Sequence, residues 1–228
     1  MTIGTGSVRQ PAIGRQLADA ASSYVRDRIT SGDLLPGSPV RPEEIALELG
    51  ISSTPAREAL HTLRAEGFLR LAPRRGFTVA PITADDIRDM FLVQSLVAGE
   101  MAARATLTAS PLLDDQLSGI HTALMSAVEV SNLDQLEELN HQFHRAINLA
   151  ANSPRLALVI QLSSRYAPRW FYSSIPGWPE TTATDHTLVL KAILNRDPDA
   201  ARSAMANHIL LAGEQLARHI ASRTPNGD

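Results

Sequence analysis

The run Pro42-Glu-Glu-Ile-Ala-Leu-Glu-Leu-Gly50-Ile-Ser-Ser-Thr-Pro55-Ala-Arg57-Glu-Ala-Leu60-His61-Thr-Leu63-Arg64-Ala-Glu-Gly67 decides how this chain folds. It reads as two short helices joined by a tight turn. Pro42 suits a first helical turn, where its missing N–H has no partner to lose, and Gly50 suits the left-handed residue just past a helix end. Ile45, Ala46 and Leu49 give that helix one apolar side. Thr54 is expected to cap the second helix, with Pro55 at its first position. Ala56, Ala59, Leu60 and Leu63 then share one stripe, and Arg57, His61 and Arg64, spaced i, i+4, i+7, share the stripe beside it. This pattern fits a helix-turn-helix that lays its second helix in a DNA major groove. It also fits a helical hairpin of an ordinary core whose arginines form a solvated face. The flanking residues favour the first. Two strand-like runs, 68–72 and 76–80, meet across Pro73-Arg74-Arg75, a hairpin with two arginines at its tip. In a winged helix such guanidinium groups meet backbone phosphate.

Composition bounds the rest. With 228 residues and 44% apolar content, the chain can bury a good core in one or two domains. It has no cysteine, so disulfides and thiolate metal sites are excluded. No apolar run of about 18 residues exists for a membrane span, and the N-terminus has no signal-like segment; the cytoplasm is the expected location. The net charge of −3 hides an asymmetry: residues 1–82 hold ten arginines against eight acids, whereas residues 83–228 hold eleven bases against sixteen acids. A slightly basic head on an acidic body fits a DNA reader joined to a separate sensor.

Leu17, Ala21, Tyr24, Val25 and Ile29 mark an amphipathic helix over 14–30 that braces the helix-turn-helix. Pro81-Ile82-Thr83 is the domain boundary, with Thr83 capping the next helix and Asp85 and Asp86 in its first turn. The expected division is therefore a winged helix-turn-helix domain over 1–82 and a helical domain over 83–228. Helices are expected over 84–107, 112–130, 133–151, 154–172, 181–196 and 198–221. Breaks this short imply antiparallel neighbours, so the fold class is mainly α: a small β-hairpin in the first domain, then an all-α antiparallel bundle of about six helices. Trp170, Phe171, Tyr172 and Trp178 cluster around a Pro-Gly turn, as a hydrophobic plug, a dimer patch or a lid.

Within the bundle, Asn140 and His144 lie one turn apart on a face shared with Phe143, Ile147 and Ala151. His186 shares a stripe with Val189, Leu190 and Ile193. His208 shares one with Ala201, Ala204, Met205, Leu211 and Ala212. A single histidine on an apolar face is usually a satisfied core residue. Three on separate helices also suit a borderline divalent ion such as zinc or nickel, which facing helices of a bundle can hold. Spacing alone leaves both readings open.

Residues 33–80 resemble the N-terminal domain of the GntR family of bacterial transcription regulators. The resemblance rests on Gly32-Asp-Leu-Leu-Pro36-Gly37-Ser38, on Ala46, Leu49-Gly50-Ile-Ser52, Thr54-Pro55-Ala-Arg57-Glu58-Ala-Leu60, Leu63 and Glu66-Gly67, and on Arg75-Gly76-Phe77-Thr-Val79. It implies that Arg57 occupies a DNA-contacting position. Ser53 stands where the family commonly has an arginine that reads the operator. Ser53, Thr54, Arg57, His61 and Arg64, with Arg74, Arg75 and Gly76 of the wing, are the candidate DNA contacts.

Residues 83–222 are similar to the ligand-sensing FCD domain of the FadR-type subfamily. The similar stretches are Asn140-His-Gln-Phe143-His144-Arg-Ala-Ile147, Ala151-Asn-Ser-Pro154-Arg-Leu156, Asp185-His186 with Ala192-Ile193 and Arg196-Asp197, and Ala200-Ala201 with Met205 and His208-Ile209. The resemblance implies a divalent metal, zinc with nickel or manganese as alternatives, held by His144, His186 and His208. Asn140 takes the place of a common aspartate. A small effector, in many members an organic acid, adds to that ion. Gln94 stands where the subfamily has an effector-facing arginine; Arg165 and Arg169 are candidate replacements. The expected protein is a non-enzymatic homodimer on an inverted-repeat double-stranded operator. Two alternatives are a purely structural metal in a bundle that mainly dimerises and, remotely, a metalloenzyme. Against catalysis, Glu138-Leu-Asn-His141 is the one Glu-x-x-His in residues 83–228 and no His-Glu-x-x-His occurs. Nor is any acid assigned as a general base beside His144, His186 or His208.

Overall fold

The two helices of the central run form α2 (Pro42–Leu49) and α3 (Ser53–Ala65), preceded by α1 (Gln10–Thr30). The computed structural model describes residues 10–166 and 175–223, with side chains for 13–166 and 175–222. Gly50 adopts φ 65°, and the N–H of Ile51 reaches back to the carbonyl of Ala46 at 3.0 Å, so the turn ends α2 with its last carbonyls satisfied. The start of α3 differs from expectation. Ser52 holds the extended cap position, the helix begins at Ser53, and Pro55 is its third residue. Proline is tolerated there because none of the first four amides has an intrahelical partner.

Ala56, Ala59, Leu60 and Leu63 are fully buried, as are Ala21 and Val25 on α1. These faces form the core of the first unit, Met1–Ile82. Arg26 of α1 ties the end of α3 through a 2.8 Å ion pair with Glu66. The wing is β2 (Leu69–Ala72) antiparallel to β3 (Gly76–Val79), in register Leu69 with Val79 and Ala72 with Gly76. Its turn places Arg74 at φ 63° and Gly76 at φ 69°, and glycine takes that conformation without penalty. A third strand, β1 (Pro39–Val40), pairs with the outer edge of β3, so the hairpin is the larger part of a three-stranded sheet ordered β1-β3-β2. Two residues are too few for a sequence signal.

The second unit, Thr83–Asp228, is wholly helical among its described residues: α4 (Ala84–Leu107), α5 (Pro111–Glu129), α6 (Leu133–Ala150), α7 (Pro154–Ser163), α8 (Trp178–Leu194) and α9 (Pro198–Arg223). Thr83 caps α4 in a reciprocal box with Asp86: its hydroxyl accepts from the Asp86 amide, and the Asp86 carboxylate accepts from its own. α4 and α9 pack intimately because glycine faces the partner helix at two levels. A Cβ on Gly99 would stand 2.8 Å from the Arg202 carbonyl, and one on Gly213 would stand 2.5 Å from Cβ of Phe91. Arg196, just past α8, grips Asp114 of α5 with both terminal nitrogens, at 2.9 and 2.6 Å.

Two expected spans change. The helix expected over 154–172 stops at Ser163 and tightens into a 3₁₀ turn, Ser164–Tyr166. In sequence, Ser164 is followed four residues later by a proline, which has no amide to donate to its carbonyl. Arg169, Trp170, Phe171 and Tyr172 lie outside the described residues. The next helix begins earlier than expected, at Trp178, with Pro179 in its first turn. Trp178 is 2% exposed, which makes it core and not lid.

Candidate nucleic-acid interface and metal centre

Burying the apolar stripe of α3 against α1 and α2 leaves its other face to water. Ser53, Thr54, Arg57, His61 and Arg64 are all exposed, and so are Arg74, Arg75 and Gly76 on the wing. Arg57, His61, Arg75 and Gly76 line one concavity, together with Arg41, Glu43 and Phe77. His61 packs edge-on against Phe77, with ring centroids 5.0 Å apart, so the wing fixes its ring. Ser53, Thr54, Arg64 and Arg74 lie outside that concavity. Arg57 has a partner that sequence reasoning missed: its Nη2 donates to Oε1 of Glu43 at 3.1 Å. Glu43 sits in the first turn of α2, where a carboxylate suits the helix dipole. That local role gave no hint of a contact across the turn.

In the second unit, α6, α8 and α9 bring His144, His186 and His208 together, with one nitrogen of each lying within 4.8 Å of the others. Nε2 of His144 and Nε2 of His208 are 3.2 Å apart. His186 is fully buried, stacked at 4.2 Å on Phe143, and neither of its ring nitrogens has a hydrogen-bond partner. One turn before His144, the side-chain oxygen of Asn140 is likewise buried without a partner. Burial, helped by the neighbouring charges of His208 and His141, pushes the His144 pKa down to about 3. Burial first, then the other histidines, holds His186 well below its ordinary value. Both rings are therefore neutral at pH 7, with lone pairs to give.

Asp185 completes the arrangement. Its Oδ2 lies 3.2 Å from Nδ1 of His208, and both side chains are largely buried. A carboxylate there accepts a hydrogen bond from Nδ1–H and so keeps the proton on Nδ1, which leaves the Nε2 lone pair facing the other histidines. The sequence reading assigned no acid beside these histidines; Asp185 directly precedes His186 and serves His208 instead. The three imidazoles, with an outer carboxylate beside His208, suit a borderline divalent ion. Elsewhere in this unit, Gln94 donates to the Ser164 hydroxyl at 3.3 Å and keeps its own carbonyl oxygen buried and unpartnered. Arg165 is half-buried in the 3₁₀ turn.

A winged helix-turn-helix followed by an all-helical sensing domain defines a DNA-binding transcription regulator. Residues 17–79 match the bacterial regulatory proteins of the gntR family and residues 89–211 match the FCD domain, so the chain belongs to the GntR family. It is 28% identical to the HTH-type transcriptional regulator McbR of Escherichia coli K12 over 210 residues, covering 89% of this chain and 92% of that one. It is 26% identical to the HTH-type transcriptional repressor RspR of the same strain, covering 80% of this chain and 81% of that one. The solved structure of E. coli McbR/YncC superposes with a TM-score of 0.69 at 25% identity, covering 89% of this chain and 98% of that one. These relatives are named as regulators and not as enzymes. No helix among the described residues is long and apolar enough to cross a membrane.

Proposed function

We propose that this regulator is of the FadR type and works in the cytoplasm as a homodimer on an inverted-repeat operator, answering to a small molecule through a metal centre. Arg57 is the base reader, with His61 and Arg64 beside it and Ser53 and Thr54 at the start of the same helix. Arg74, Arg75 and the Gly76 amide hold phosphate. Asn140, His144, His186 and His208 would hold a divalent ion, zinc with nickel or manganese as alternatives; an imidazole-rich donor set suits zinc or nickel better than manganese. Bound there, the ion supplies a positive charge that no protein ligand cancels, since all four are neutral, and this favours an anionic effector group such as a carboxylate. Gln94 and Arg165 are the described candidates for further effector contacts, and Arg169 is a third. Effector binding then shifts the balance between dimer arrangements by the difference in its affinity for them.

One observation carries the metal-sensing part of this reading: three histidines from distant parts of the chain meet with nitrogens within 4.8 Å, one of them fully buried with both nitrogens unpartnered. The test is calorimetry of a candidate carboxylate effector before and after chelation, with metal content measured on the same samples. Sensing through the ion requires effector affinity to fall on chelation and return with metal. Unchanged affinity in folded, metal-free protein assigns the ion to the fold alone. A His144→Ala variant with full metal content sinks the ligand assignment.

A further inference from the structure

Glu43 presents a carboxylate on the face where the candidate base-reading side chains lie. It accepts from Arg57 at 3.1 Å, and the two side chains are 63% and 55% exposed. With Arg41, His61, Arg75 and Phe77 they line one concavity. An ion pair this exposed contributes little to folding. Its placement is costly on electrostatic grounds alone, because duplex DNA carries a negative charge about every 1.7 Å along its axis. Arg41, the next cation in the concavity, is already paired with Glu44 at 2.7 Å and leaves Glu43 to Arg57.

We propose that Glu43 is a specificity-determining residue: it keeps the Arg57 guanidinium aimed at base edges and withholds its charge from the phosphates of unrelated duplex. This rests on Arg57 as the base reader. A guanidinium has five N–H donors and the contact with Glu43 uses one, so a bidentate bond to guanine O6 and N7 can form with the pair intact. On unrelated duplex no base edge meets the fork. Swinging to a phosphate then breaks the pair and leaves the Glu43 carboxylate bare among like charges. The penalty falls on the wrong sequences and spares the right one.

The test uses the full-length protein with an operator duplex selected from a randomised pool, and a scrambled duplex of equal length, over a range of salt concentrations. Wild type, Glu43→Gln, Arg57→Ala and the double variant are compared, with melting temperatures to verify folding. Glu43→Gln should bind the scrambled duplex about fivefold tighter while changing operator affinity less than about twofold. Its salt slope on scrambled duplex should steepen by about one ion as Arg57 takes a phosphate. In the Arg57→Ala background the carboxylate is bare on either duplex, so Glu43→Gln should tighten both by the same factor and the steepening of the salt slope that Arg57 supplies should vanish. An Arg57→Ala variant that loses discrimination beside a Glu43→Gln variant that keeps it, with an unaltered slope, overturns the role of Glu43 alone. Full discrimination in Arg57→Ala overturns the reading of Arg57 and this inference with it.

Discussion

Replacing Gly213 by alanine should destabilise the helical unit, although the same change in an open helix position stabilises. A glycine-to-alanine change in a helix interior gains about 1 kcal/mol of propensity. Gly119 in α5 has nothing within 4 Å of a built Cβ, so Gly119→Ala should collect that gain in full. At Gly213 the new methyl would stand 2.5 Å from both Cβ and Cγ of Phe91, against an ordinary carbon contact of about 3.5 Å or more. Those atoms are the root of the Phe91 side chain, so no rotamer change relieves the clash and α4 must move from α9 by about 1 Å. Overpacking of this kind costs about 3 kcal/mol, and after the propensity gain about 2 kcal/mol of destabilisation remains. The chain has two tryptophans, Trp170 and Trp178, both in the helical unit, so their fluorescence follows that unit's unfolding in urea. With a slope of about 2 kcal/mol/M, the Gly213→Ala midpoint should fall by about 1 M while that of Gly119→Ala rises by about 0.5 M. If both variants shift upward together at one protein concentration, α4 and α9 do not approach each other as described.

Asp185→Asn should lower affinity for added zinc about 10- to 100-fold while the unit stays folded, measured by competition with a chromophoric chelator; wild-type affinity would remove Asp185 from the tautomer argument. Arg74→Ala and Arg75→Ala should each weaken operator and scrambled duplex by the same factor and flatten the salt slope by about 0.9, whereas a loss confined to the operator would mean base reading. Burial depresses His144, from 6.5 to about 3, and His186 in the same direction, so the metal-free folded state refuses protons that the unfolded chain accepts below pH 6.5. Stability of the chelated protein should therefore be level above that pH and decline from about 6.5 towards 3. A urea midpoint equal at pH 7.5 and 5.5 contradicts this.

The helix-turn-helix was legible because its signals are local: a proline inside each helix start, a glycine at the turn, and two stripes at helical spacing. The limits of α4 were equally plain, with Thr83 and two aspartates opening it and Ser110-Pro111 closing the gap after it. Where reading failed, the deciding partner lay far away or the local rule allowed two answers. Pro55 fits any position of a first turn, so it did not fix where α3 begins. Strand β1 has meaning only through Phe77 and Thr78, nearly forty residues later. The three histidines showed as inward-facing residues on separate helices, but no spacing reveals that their nitrogens meet. Asp185 looked like a neighbour of His186 and proved to be a partner of His208. Glu43 lies in the first turn of α2, and its contact with Arg57, fourteen residues on, has no local signal.

The histidine cluster draws its three members from α6, α8 and α9, with 42 residues from His144 to His186 and 22 from His186 to His208. An ion gripped there would act as a crosslink, closing two long loops at a single point. It would be a staple in a chain that has no cysteine with which to make one. Depriving cells of the metal would then loosen this bundle and expose it to proteases, so the amount of regulator, as well as its activity, would follow the supply of the ion.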